Sequence, residues 1–351
     1  MSNIEKIILT GDRPSGKLHL GHYVGSIQNR IKLQDQYNHC FYMIADSQAM
    51  TDNADHPEKI RKSVLEVALD NLALGLDPQK TTFFIQSQIP EIAELTVIFL
   101  NLVTLARLRR NPTVKNEMKQ KGYGDDVPAG FLVYPVSQAA DILSCRANLI
   151  PVGDDQLPMI EQVNEIVDKF NNNYGSTSFD KTQDKSLTTG GQVFSQVEPM
   201  LSQTPRLMGI DGKNKASKSL NNAIFFDDAG EVVKEKVMSM FTDTDHLRAS
   251  DPGKVAGNMV FHYLDSFDPD QLGLQKLKEE YTIGGLGDVV LKKRLIDILE
   301  NLIDPIRTKR RLLAKDPAAV MNILKEGTTK TRIITQETMR IVREAVKMDY
   351  F

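Results

Sequence analysis

Four short β-like runs, each followed by a longer amphipathic pattern, fill the first half of this chain and restrict what it can become. Residues 6–10 (KIILT) read as a strand, followed by a Pro/Gly turn and a helix from about His19 to Gln36. Residues 40–45 read as a second strand, and the helix opening at Pro57 carries Ile60, Val64, Val67 and Ala68 on one face. Residues 82–86 form the third run, with a helix from about Glu91. Residues 149–152 form the fourth, and the helix after it carries Ile160, Val163, Ile166 and Val167. Strand alternating with helix predicts an α/β fold, a parallel sheet covered by helices on both faces. Such sheets bind ligands at the carboxyl ends of their strands.

Residues 107–126 break the rhythm with many charges and few apolar side chains, so we read them as an exposed excursion. Residues 171–192 form a polar loop rich in Asn, Ser, Thr and Gly. After a further strand expected at 223–226 the pattern turns helical. Leu291, Leu295, Ile298, Leu302 and Ile306 make a stripe at helical spacing. We therefore expect two domains, 1–220 carrying the sheet and 221–351 made of helices. The 351 residues supply apolar material for both cores, with 41% hydrophobic residues. No stretch is long and apolar enough to span a bilayer, and residues 1–6 have no apolar signal core. Only Cys40 and Cys145 are present, with no CxxC, so neither a disulfide framework nor a cysteine-bound metal is expected. A reducing, cytoplasmic location fits. The net charge of −3 gives no global basic signature, so an RNA partner would have to meet a local basic patch.

Two motifs carry the chemistry. The first, TGDRPSGKLHLGH at 10–22, lies between the first strand and the first helix. A helix start presents unpaired N–H groups to phosphate. His19 and His22, three residues apart, share a face there and can donate to phosphate oxygens as charge builds. Gly21 removes a side chain, leaving room for a flat nucleobase. The second, KNKASKS at 213–219, has three lysines among small polar neighbours, suited to clamping a polyphosphate.

HxGH and KxSKS, in this order on an alternating α/β chain, resemble the HIGH and KMSKS signatures of class I aminoacyl-tRNA synthetases. The resemblance implies a Rossmann-type catalytic domain and in-line attack of an amino-acid carboxylate on the α-phosphate of ATP, with Mg²⁺ assisting. It makes His19, His22, Lys215 and Lys218 the catalytic residues. Arg13, Ser15, Gly21, Gly153, Asp155 and Ser217 join His22 and the two lysines around ATP.

Three further segments narrow the likeness. The opening G-x-x-P-S-G-x-x-H-x-G-H-Y-x-G, the run YPVSQAADIL at 134–143 and PVGDDQ at 151–156 resemble the tryptophanyl-tRNA synthetase family. The sister tyrosyl family usually carries a tyrosine in the first strand, where this chain has Ile7, Ile8, Leu9 and Thr10. On a helix, Tyr134, Gln138 and Asp141 share a face, and Asp141 can accept the indole N–H of tryptophan. By resemblance, Tyr134 and Gln156 would hold the ammonium and carboxylate. Ala216, Arg13, Gln48 and Gln138 depart from the residues most of that family carries.

Residues 305–351 hold eleven Lys/Arg against five Asp/Glu, with Arg307, Lys309, Arg310 and Arg311 grouped. Such a lobe suits phosphate contacts and, by resemblance, recognition of the tRNA(Trp) anticodon; Arg107, Arg109, Arg110 and Lys115 are candidates for its acceptor stem. The resemblance also implies a homodimer. A non-tRNA nucleotidylyltransferase shares HxGH, but the lysine loop and basic lobe speak against it.

Overall fold

The computed structural model describes residues 5–175, 192–201, 207–218 and 220–351. Most of the expected polar loop at 171–192, and Ser219 of the lysine motif, lie outside these residues.

Five parallel strands form one sheet in the order β3-β2-β1-β4-β5: β1 (Ile7–Asp12), β2 (His39–Ile44), β3 (Thr81–Ile85), β4 (Leu149–Val152) and β5 (Glu198–Leu201). This is the Rossmann order, with its reversal between β1 and β4. β2 is buried from Cys40 to Ile44, as a strand covered on both faces requires. The fifth strand is not where the sequence pattern put it. At 223–226 only Phe225 makes an isolated bridge, to His19. β5 takes the place instead, an exposed edge whose Glu198 and Pro199 break any apolar run; proline is tolerated at such an edge.

The first helix is composite. It runs as α-helix over Leu20–His22, widens to a π segment over Tyr23–Ile27 and resumes as α-helix over Gln28–Leu33. π segments concentrate at functional sites, and Arg30, just beyond this one, reaches back to the end of β1. The segment after residue 104 forms two short helices, Leu105–Arg110 and Pro112–Lys121, capped by the side chains of Thr104 and Asn111. Their only buried residues are Leu108, Thr113 and Val114, so the expected exposure holds.

Helices Gly230–Met238, Met259–Phe267, Gln271–Ile283, Asp288–Leu313 and Pro317–Ala345 complete the chain. In Asp288–Leu313 the buried line is Leu291, Leu295, Leu299, Ile303 and Arg307. The expected stripe shares its first two members, while Ile298, Leu302 and Ile306 lie half-buried on its flank. A single core joins these helices to Tyr42 and Phe83 of the sheet. The last helix returns to cover the edge strand β3. A Cβ at Gly327 would lie 1.9 Å from the Phe83 carbonyl oxygen, so only glycine permits that approach. Beside it, the Thr328 hydroxyl accepts the Ile85 N–H at 3.2 Å. An otherwise open sheet edge is thereby closed.

Candidate active site

A cavity of about 420 Å³ opens at the carboxyl ends of β1 and β4, where the strand order reverses. Helix Ala129–Ser144 presents Tyr134, Gln138 and Asp141 to it, and the turn after β4 presents Gly153 and Gln156. Arg13 lines its mouth. All four residues expected around the amino acid therefore share one cavity.

Asp141 is only 1% exposed. Its Oδ1 accepts the Gln86 amide at 2.7 Å and its Oδ2 the Gln48 amide at 3.4 Å. The Gln48 N–H donates to the Gln86 side-chain oxygen at 3.0 Å, which fixes the orientation of the Gln86 amide. Burial pushes the Asp141 carboxyl up to about 7, against the lowering effect of the Gln86 hydrogen bond. A neutral donor pair cannot hold a buried carboxylate ionised as a cation would. Asp12, at the end of β1, shows the opposite outcome. Burial would raise it, but Arg30 donates to both its oxygens, at 2.5 and 2.9 Å, and Tyr42 donates at 2.8 Å, holding it well below the usual carboxylate range.

At the mouth, Asp52 pairs with Arg13 at 2.8 Å and with Lys121 at 2.6 Å. The Tyr134 hydroxyl donates to Glu117 at 3.1 Å. Arg13 is thus tied to a carboxylate in this state.

The second cluster surrounds residues 15–22. His19 caps the helix: its Nδ1 accepts the Gly21 N–H at 3.1 Å, while His22 Nδ1 accepts the His19 N–H at 3.2 Å. With both Nδ1 atoms accepting, both rings carry their proton on Nε2, and that N–H is left to donate outward. The ring centroids lie 3.9 Å apart. Burial, then mutual and Lys218 repulsion, depresses His19 to about 2. Burial is also the main cause for His22, depressed to about 4, with Asp12 opposing. Both are neutral donors at pH 7.

The lysine motif folds onto this turn. Lys218 Nζ donates to the Gly16 carbonyl at 2.7 Å and lies 3.5 Å from the Ser15 hydroxyl. A Cβ at Gly21 would sit 2.9 Å from His19 Cε1 and 3.3 Å from Ala216 Cβ. The missing side chain at Gly21 thus lets the His19 ring and Ala216 lie close against its backbone. Burial depresses Lys218 to about 8, with Asp12 and Asp70 opposing. Asn222, 3% exposed, organises the loop: it accepts the Ser217 N–H at 2.8 Å and donates to Asp211 at 3.1 Å and to the Lys215 carbonyl at 3.3 Å. Lys215 is exposed, its backbone bridged to Met208. Asp155 is exposed beside the cavity turn, and its carbonyl accepts the Thr113 hydroxyl at 2.9 Å.

Asp70 anchors the first motif from beneath. Its Oδ2 accepts the Leu18 N–H at 2.7 Å and its Oδ1 accepts Arg310 Nε at 2.5 Å. Arg310 also bonds Glu66. This corrects the basic cluster expected to face RNA. Arg307 is 4% exposed and donates to the Asp228 carbonyl, Glu300 and Asp304. Arg307 and Arg310 recur at the buried phase of their helix and serve the fold, leaving Lys309 and Arg311 exposed. Arg107 is likewise occupied, forking onto Glu165 at 2.7–3.0 Å, while Arg109, Arg110 and Lys115 are exposed.

Sequence reasoning missed Gln86, Glu117, Asn222 and the Asp12–Arg30 pair. Only Asn222 had a signal, an Asn-Asn step after the lysine motif, where Asn221 takes a left-handed φ of 51°.

A parallel sheet in Rossmann order, with neutral histidines and a lysine loop meeting beside a cavity at its switch point, defines the class I synthetase type. The chain belongs to the class I tRNA synthetases for tryptophan and tyrosine, whose family model matches residues 1–304. Its relatives place it in the tryptophan branch. It is 53% identical over 348 residues to the tryptophan–tRNA ligase of Clostridium longisporum, covering 99% of this chain and 98% of that one. It is 51% identical to that of Streptococcus pyogenes serotype M1, covering 98% and 99%. Among solved structures, the tryptophanyl-tRNA synthetase of Campylobacter jejuni, complexed with ADP and tryptophan, superposes with a TM-score of 0.81. That match has 31% identity and covers 97% of this chain and 99% of that one.

Proposed function

We propose that the protein is a tryptophan–tRNA ligase that forms tryptophanyl-adenylate from tryptophan and ATP and passes the amino acid to tRNA(Trp). The observation that carries this reading is the seating of the lysine loop on the histidine turn, Lys218 on the Gly16 carbonyl at 2.7 Å, beside a cavity that ends in Asp141. The indole N–H is the polar handle of the tryptophan side chain, and Asp141 is the acceptor at the buried end. Gln138 lines the wall beside it, and Tyr134 and Gln156 line the pocket toward the backbone of the amino acid.

In this mechanism the carboxylate attacks the α-phosphorus and pyrophosphate leaves, so the protein supplies position and charge. His19 and His22 donate from Nε2 to phosphate oxygens. Lys215 and Lys218 take the charge that develops on pyrophosphate, and Ser15 and Ser217 flank them. Arg13 exchanges Asp52 for ATP, while Gly153 and Asp155 lie toward the ribose. Among the described residues no three His, Cys, Asp or Glu side chains converge as a metal cage. The lysines and neutral imidazoles suit phosphate oxygens, so Mg²⁺ is proposed to ride on the triphosphate and neutralise its charge.

Residues 221–351 are proposed as the tRNA anticodon-binding domain behind the 1–220 catalytic domain, with Lys309 and Arg311 as exposed cations for phosphate. A homodimer and a cytoplasmic location are carried over from the family. Exposed Val97 (62%) and Leu105 (65%) are apolar side chains that a partner could cover, which supports the dimer reading. No described helix is long and apolar enough to cross a membrane.

Tryptophan-dependent ATP–pyrophosphate exchange, followed by charging of tRNA(Trp), tests the reading. Exchange that depends on a different amino acid, or adenylylation without transfer to tRNA, would overturn it.

A further inference from the structure

An α-amino acid brings an ammonium as well as a carboxylate, and a partly buried ammonium needs an anionic acceptor. Three carboxylates line the cavity: Asp12, Glu117 and Asp141. Asp12 is saturated by Arg30 and Tyr42. Asp141 sits at the closed end between two glutamine amides. Glu117, half-buried on helix Pro112–Lys121, is different. Its described partner is the Tyr134 hydroxyl, which donates to Oε2 at 3.1 Å, and no Lys, Arg or His among the described residues pairs with it.

The placement fits the ligand's dimensions. Tyr134 and Asp141 are seven residues apart on one helix, a rise of about 10.5 Å. With Asp141 taking the indole N–H, the other end of an amino acid of this length arrives at Tyr134 and Glu117. An acceptor there turns the ammonium toward the mouth-side helix. It also leaves the carboxylate free to face the histidine–lysine cluster, where phosphorus must be attacked.

We propose that Glu117 receives the α-ammonium of the bound amino acid, oriented by the Tyr134 hydroxyl. This rests on the reading of the cavity as a tryptophan site, and the two can fail separately. Glu117→Gln preserves the shape and an oxygen for Tyr134 while removing the charge. The chain contains no tryptophan, so binding can be followed by ligand fluorescence. The ligands are tryptophan, tryptamine (which lacks the carboxylate) and indole-3-propionate (which lacks the ammonium).

Glu117→Gln should weaken tryptophan and tryptamine by ~10-fold or more, the scale of a charge-assisted hydrogen bond. Indole-3-propionate should bind as well as before or better. In exchange assays KM for tryptophan should rise while KM for ATP stays. Glu117→Asp, which keeps the charge, should recover part of the loss. Equal weakening of all three ligands would make Glu117 a wall of the pocket, and undiminished tryptophan binding would remove it from recognition; either overturns the proposal. A wild-type protein that prefers another amino acid sinks the substrate reading alone, and the same charge test then applies with that amino acid and its two analogues.

Discussion

The two ends of the cleft solve opposite electrostatic problems. At the amino-acid end a buried carboxylate, Asp141, has only neutral amides for company and is lifted to about 7. At the phosphate end Lys218 bonds a carbonyl rather than a carboxylate: burial depresses it to about 8 against the pull of Asp12 and Asp70, and both histidines are neutral. Each end is held in its less comfortable charge state, and each would be relieved by its own half of the reaction. The indole N–H suits the carboxylate, and polyphosphate suits the lysine. Lysine–carboxylate pairing across the cleft would have neutralised both ends and left nothing for substrate. Recognition and chemistry should therefore be separable by mutation.

The largest separation is expected at the phosphate end. Replacing Lys215 and Lys218 together with alanine should slow adenylate formation by ~10²-fold or more, the usual worth of transition-state charge contacts. Tryptophan Kd should not move. His19→Ala should lower kcat rather than only raise KM for ATP. A matching loss of tryptophan affinity in either variant would join the two ends and break the contrast.

Asp141→Ala should do the reverse, costing about 1–3 kcal/mol of tryptophan binding with ATP affinity intact, as measured by ligand fluorescence and exchange kinetics.

The pH profiles sharpen the same contrast. Because Asp141 titrates near 7 rather than 3.8, the folded state holds more protons than the unfolded one between those values. Its ionisation therefore costs stability as pH rises through that window. Tryptophan affinity should climb between pH 6 and 8 as the better acceptor forms, and Asp141→Asn should flatten that rise while melting at a higher temperature than wild type at pH 8. Lys218 predicts an opposite limb. With its pKa near 8, kcat/KM for ATP should fall above that pH, and the limb in kcat should lie higher because bound phosphate favours the charged lysine.

The smallest effect belongs to the helical lobe. Lys309→Glu with Arg311→Glu should leave exchange unchanged and flatten the salt dependence of tRNA charging, by about one unit of log–log slope for each phosphate no longer neutralised. Arg310→Ala should behave differently, lowering stability and both activities, because it strips Asp70 and Glu66 of their cation beneath the Leu18 turn.

This last pair marks where the sequence could be read and where it could not. β1 to β4 emerged from apolar runs because both faces of a parallel strand are buried. Both motifs were legible because their residues are local. Lys309 and Arg310 look alike in sequence, and only the helical phase set by Leu299 and Ile303 sends one to solvent and the other to Asp70. β5 escaped because an edge strand needs no apolar run. Gln86 and Asn222 escaped because a polar side chain announces a partner only once the fold brings it near.

Discrimination between tryptophan and tyrosine in ATP–pyrophosphate exchange, compared in wild type and Asp141→Asn, tests the account most directly. Wild type should prefer tryptophan strongly, and the variant should lose much of that preference through kcat/KM for tryptophan, with KM for ATP unchanged. A wild type that prefers tyrosine, or a variant whose preference is undiminished, would contradict it.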